Sequence, residues 1–156
     1  MTEPRKVRLA ILGCGALALA LAACAGAQGM KMSDDPVADR QRLMKLIGAN
    51  WADIQAKVKA GNIDAVAVNA ETIAVSASHI PPLFPAGSGT DKSKAKPEVW
   101  QKWPEFQAAA KNAEILAGQL RDAARAKDQA KVEAMTKEFG AKACGACHTP
   151  FRQPPR

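Results

Sequence analysis

The chain has 156 residues, a formal net charge of +7, four cysteines and no tyrosine. The length fits one domain after a targeting segment, and the excess of Ala, Lys and Leu over β-branched and aromatic residues favours helix over sheet. The basic residues are dispersed and do not alternate with aromatic ones, which argues against a base-stacking nucleic-acid surface.

The first element is an export leader. Arg5, Lys6 and Arg8 form a positive start, and Leu9 to Ala23 is an apolar run too short to span a bilayer comfortably and right for a signal core. Two processing routes stay open. Cleavage after the Ala25-Gly26-Ala27 triplet makes residues 1–27 a signal peptide. Alternatively, Leu21-Ala22-Ala23-Cys24 is a lipobox whose Cys24 carries a lipid, the one membrane attachment the sequence offers. Both routes place the protein in a bacterial periplasm. Without residues 1–24, nineteen basic residues face fourteen acidic ones, about +5. Such a balance suits docking to an acidic partner, or is simply a solvated surface.

Residues 28–35 read as a flexible linker, and 36–153 as the folded domain. Asp35-Pro36 is an N-cap followed by proline at the first helical position. Val37, Met44, Trp51 and Val58 then recur every seven residues, with Ile47 and Ile54 between them, which is an a/d seam. One d position breaks the seam with a charge, Arg40. Gly61-Asn62 is read as ending this helix and capping the next, whose stripe is Ile63, Val66, Ala70, Ile73 and Ala77. A long connection runs from about Pro81 to Lys102, with Phe84, Trp100 and Trp103 available to pin it to the core. Its Lys92, Lys94 and Lys96 are either a solvated loop or a docking patch. A third helix starts near Pro104 and carries Phe106, Ala109, Ala113, Leu116, Leu120 and Ala123. Asp128 caps a fourth, with Val132, Met135, Phe139, Ala143 and Cys147. Four helices joined mostly by short turns predict an all-α, antiparallel up-down-up-down bundle.

The leader removes two cysteines from the fold and leaves Cys144 and Cys147. With His148 they complete Cys-x-x-Cys-His, the haem c attachment signature. On a helix, residues i, i+3 and i+4 share a face, so both sulfurs can bond one haem edge while the imidazole reaches the iron. Gly145 and Ala146 are small enough for close approach of the porphyrin. A tetrahedral zinc site needs four donors, and the domain holds two Cys and two His.

The motif lies close to the C-terminal end of a four-helix pattern. Together with Arg40-Gln41, Leu43-Met44-Lys45, Leu83-Phe84-Pro85, Pro97-Glu98-Val99-Trp100 and Cys144 to Arg152, it resembles the class II c-type cytochromes, the cytochrome c′ family. That resemblance implies a bundle with one haem c and a choice of two functions. In one branch a first-helix methionine, here Met44, binds the iron opposite His148 and makes a low-spin electron carrier; Leu43-Met44-Lys45 and Leu83-Phe84-Pro85 look more like this branch. In the other the sixth position is open and takes nitric oxide or carbon monoxide. The expected function is therefore non-enzymatic: single-electron transfer between unidentified redox proteins through His148 and Met44, with gas binding as the alternative. His79 is the rival ligand. Arg40 is expected to pair with a haem propionate, aided by Gln41 and Ser88, and Arg152 to stand beside His148. The three tryptophans read as packing. Homodimers are common in the family, and the exposed face of helix one leaves the question open.

Overall fold

The structure, a computed structural model, describes residues 34–154. The signal peptide, Cys24 and most of the expected linker lie outside these residues. Helix α1 spans Pro36–Lys59, α2 Val66–Ser78, α3 Glu98–Gln101, α4 Trp103–Arg125, α5 Gln129–Phe139 and α6 Ala146–Phe151. A π-helical turn, Gly140–Gly145, joins α5 to α6 without leaving the helical region. The four long rods of an antiparallel bundle are thus α1, α2, α4 and the continuous α5–π–α6. Among the described residues the only β contact is an isolated antiparallel bridge between Ala95 and Arg152. No described helix is long and apolar enough to cross a membrane.

The caps agree with the sequence. The Asp35 carboxylate accepts from Val37 N–H and Ala38 N–H at 3.1 and 3.0 Å, with Pro36 behind it in the first turn. Asp128 accepts from Lys131 N–H at 3.0 Å and starts α5. Gly61 sits at φ +73°, the left-handed residue that closes α1. The entry to α2 differs from expectation. Asn62 does not cap it: the chain makes a further turn, and α2 begins at Val66 behind Ala65, which offers no side-chain acceptor. The long connection is also more structured than a loop, with a 3-10 turn at Pro81–Leu83 and α3 near its end.

Packing divides the interior into two clusters. In the first, Ile54, Val66, Ile73, Leu120, Val132 and Phe139 interlock from all four rods. Here α2 packs most extensively on α4 and next on α1. Polar bonds bind the same rods, through Arg121 Nη1 on Glu71 Oε2 at 2.7 Å and Asn69 Nδ2 on Asn50 Oδ1 at 2.9 Å. In the second, Phe106 and Phe151 meet edge to face at 5.4 Å among Ala77, Ile80, Val99 and Ala110. A π turn takes in one residue more than an α turn and so shifts the register of the helix beyond it. It hands the buried stripe of the last rod from the first cluster, at Val132, Phe139 and Ala143, to the second, at Cys147 and Phe151. Asn112 Nδ2 donates to the Lys142 carbonyl at 2.8 Å and ties this turn to α4. Beyond α5, α1 draws away from the last rod, and a cleft opens between them.

Candidate functional site

That cleft is a cavity of about 470 Å³, within the range of cofactor sites. From α1 it is lined by Arg40, Gln41, Met44 and Trp51, and from the last rod by Cys144, Cys147, His148, Phe151 and Arg152. The seam that packs α1 elsewhere here faces an open volume, because α1 and α6 do not close on each other. Trp51 stacks on Phe139 at 4.8 Å and forms the wall nearest the packed cluster. Phe106 contributes a second wall and holds Phe84 edge-on at 4.7 Å.

The sulfur and imidazole donors are half-buried. Burial raises the Cys144 thiol above its ordinary range, and burial plus the neighbouring Cys144 lifts Cys147 to about 11. Before haem attachment both are therefore thiols rather than thiolates near neutral pH. His148 is pushed below its ordinary value, first by burial and then by the charge of Arg152. A neutral imidazole keeps a ring nitrogen free to ligate iron. Gly145 and Ala146 do not line the cavity themselves. A methyl group on Gly145 would sit 3.5 Å from the Gly140 carbonyl, an ordinary contact within the π turn.

Arg40 is 5% exposed, and its guanidinium closes the other end of the site. Nη2 donates to the Ser88 carbonyl at 2.7 Å and Ser93 Oγ at 3.4 Å, while Nη1 donates to Ser88 Oγ at 3.2 Å. The same cation lies 4.4 Å from the centre of the Phe84 ring. Burial lowers its pKa, partly offset by Asp35. The seam-breaking charge thus turns inward, as its position in the heptad predicts. Its partners in the structure are the loop of residues 84–97, which sequence periodicity has no means of placing. Ser88 Oγ gives its proton to the Pro85 carbonyl at 2.7 Å, so in this arrangement it is not a donor toward the cavity. Gln41 Nε2 makes a long 3.5 Å contact with the Lys92 carbonyl.

The loop is fastened on its other side to the haem-motif rod. Lys96 N–H donates to the Phe151 carbonyl at 2.9 Å, and Gln153 N–H to the Lys94 carbonyl at 2.8 Å. Trp100 Nε1–H is shared between the carbonyls of Phe84 and Pro85, both at 3.1 Å. Ser93, Ala95 and Phe151 line the site without any site signal of their own in the sequence, which marks Lys94 only as part of a solvated loop or docking patch. Only Phe151, at helical spacing from Cys147, carries a pattern that periodicity could have used.

The rival ligand is not in the site. His79 is exposed at the C-cap of α2, does not line the cavity, and its Nδ1 lies 2.7 Å from the Val75 carbonyl. Met135 packs against the first cluster, and Met30 and Met32 lie outside the described residues. Among the described residues no three His, Cys, Asp or Glu side chains converge into a metal set. Two thiols and a neutral imidazole on one helical face, an apolar cavity beside them and cations at its rim fit a covalent haem.

The family model for cytochrome c′ matches residues 35–152, the whole of this bundle. The chain belongs to the cytochrome c′ family. It carries one haem c, attached through Cys144 and Cys147 as the family's haem is. Cytochrome c′ of Pararhodospirillum photometricum is 35% identical over 118 residues, covering 73% of this chain and 93% of that protein. The crystal structure of cytochrome c′ from Thermochromatium tepidum superposes with a TM-score of 0.71 at 27% identity, covering 79% of this chain and 98% of its own. Another solved cytochrome c′, with a TM-score of 0.70 and 26% identity over 79% of this chain and 98% of that one, is described as having ligand-controlled dimer dissociation. These likenesses extend over nearly the full length of cytochromes c′. None of them marks the chain as a methionine-ligated branch.

Proposed function

We propose that this chain is an exported cytochrome c′ in which His148 is the axial ligand and the position opposite is open to a small diatomic gas. This reverses the order of the two functions expected from Leu43-Met44-Lys45. The observation that carries the reading is the environment of Met44. Its half-buried side chain packs against the cluster of Phe106 and Phe151 on the cavity wall, a space-filling role that suits a flexible thioether. The full-length likeness to cytochromes c′ supports the same reading. When bound, haem c supplies an iron that takes up one electron and, at an open axial position, holds nitric oxide or carbon monoxide.

The chain's own residues divide the remaining work. Cys144 and Cys147 fix the cofactor in register with His148. Met44, Trp51 and Phe106 keep the opposite side apolar and exclude water. Arg40 and Gln41 stand where a propionate can meet a buried cation. Arg152, one turn beyond His148, biases the imidazole toward its neutral form. Nothing in this division needs a catalytic acid, base or nucleophile. The test is carbon monoxide binding to the reduced holoprotein by stopped flow, in the natural chain and in Met44→Leu. Saturable binding by both is expected. Failure of the natural chain to bind under saturating gas overturns the reading.

A second reading is electron carriage with Met44 as a true ligand, and one observation favours it: Met44 and His148 line the same cavity from opposing rods. Under that reading Met44→Ala converts a low-spin iron to high spin. Export through residues 1–27, with or without a lipid on Cys24, places either function in the periplasm. Intact mass of the membrane and soluble fractions separates the two leader routes. A homodimer is part of the proposal, and Leu46, Val68 and Val75 are apolar and exposed on α1 and α2. Sedimentation velocity with and without carbon monoxide measures it.

A further inference from the structure

The mouth of the cavity carries a charge that its cofactor does not neutralise. Arg40, Lys45, Lys94 and Arg152 all line the cavity, and no Asp or Glu does. Lys92 joins the same rim through its backbone and Lys96 through its side chain. The Lys92 carbonyl meets Gln41, and Lys96 Nζ donates to the Thr149 carbonyl at 3.1 Å, one residue beyond His148. In the loop of residues 84–97 these three lysines face one acid, Asp91.

Several cations elsewhere are paired. Lys57 meets Asp53 at 2.8 Å, Arg121 meets Glu71 at 2.7 Å, Lys127 meets Asp64 at 3.1 Å and Lys142 meets Glu138 at 2.6 Å. Among the described residues Lys45, Lys92, Lys94, Lys96 and Arg152 make no ion pair with a carboxylate; Lys59, Lys102, Lys131 and Lys137 make none either, but they do not line the cavity. The two propionates of a haem can offset two of the six rim cations. Gathering like charges costs self-repulsion, and the four that remain make a positive field around the cavity.

We infer that this rim is a docking surface for an acidic protein that delivers one electron to the haem. Residues 86–96 contain no large apolar side chain to insert below lipid headgroups and no aromatic ring to stack on a base. Charge is therefore the feature available for recognition, and a carboxylate-rich protein surface complements it. The transfer balances simply: the partner's reduced centre loses one electron, the iron passes from ferric to ferrous, and no proton or group moves. The inference rests on the haem site of the proposed function, and it holds whether the sixth position is open or filled.

Two readouts test it on the holoprotein. In the first, the ¹⁵N-labelled protein is titrated with the redox-inert trianion hexacyanocobaltate(III). Amide shifts are expected to gather at Lys45, 92–96 and 149–153; shifts scattered over the surface overturn the inference. In the second, the reduced protein is oxidised by anionic ferricyanide and by cationic tris(phenanthroline)cobalt(III), at low and high salt. Ferricyanide should be fast and strongly slowed by salt. K92E/K94E/K96E should slow it about tenfold at low salt, within the usual range of electrostatic steering, and speed the cationic reagent. K45E, on a different element, should act in the same direction by a smaller factor. Equal salt slopes in the natural and triple-variant proteins overturn the proposal. So does loss of binding to phosphatidylglycerol vesicles in the triple variant with ferricyanide rates unchanged, which would assign the rim to a lipid surface. A pyridine haemochrome assay on each sample shows separately whether the haem site itself has failed.

Discussion

The two ends of this bundle are built from the same four rods and solve opposite problems. At one end Ile54, Val66, Leu120 and Val132 are fully buried and fill the space between helices with aliphatic side chains. At the other, Phe84, Phe106, Phe151 and Trp51 stand around a volume that no side chain enters. Small and branched residues close a core, because they interdigitate at crystal-like density. Rings and a buried arginine frame a cavity, because they are rigid and touch one another at the edges. A helical protein with few aromatics has placed most of them at the end that must stay open.

Perturbing each end should therefore read out differently. The largest effect belongs to Cys144→Ala with Cys147→Ala: no covalent haem should survive denaturing extraction, measured by pyridine haemochrome, while the packed end retains its helix signal. Leu120→Ala, fully buried at the packed end, should cost about 2–5 kcal/mol by denaturant unfolding and leave the haem spectrum unchanged. A shift in that spectrum would mean the two ends are not separable. Arg40→Met removes three bonds to the loop and should cost about 1.5–3 kcal/mol, with faster hydrogen exchange confined to residues 84–97. Gly89→Ala probes the same loop from outside. A methyl group there would lie 2.9 Å from the Trp100 ring, so about 1–3 kcal/mol should be lost by overpacking. The smallest effect is expected from Arg121→Ala, whose ion pair with Glu71 is solvent-screened: unfolding at physiological salt should not change measurably.

The rods are legible in the sequence because their signals are local. Asp35-Pro36 and Asp128 cap where capping chemistry says they should, and the heptad places Arg40 inside. Cys-x-x-Cys-His needs no tertiary information to be recognised. The rest of the site depends on long-range contacts. The loop's path is set by Arg40 on Ser88 and by Lys96 on Phe151, contacts between residues more than forty positions apart. The π turn leaves no residue-type signature beyond two flanking glycines, yet it aims Cys147 and Phe151 into the cavity. Asn62 misleads because an Asn after Gly looks like a helix cap, whereas the chain makes one more turn before α2 begins. Met44 shows a subtler limit. Its position on the cavity wall is readable from helix geometry, but a thioether that packs and one that ligates occupy the same heptad slot.

That distinction is what the function turns on. Low-temperature EPR with far-red absorption of the oxidised holoprotein measures it directly. An open sixth position predicts a high-spin ferric signal and no sulfur-to-iron charge-transfer band. A low-spin signal with that band would contradict it and make Met44 a ligand and the protein an electron carrier.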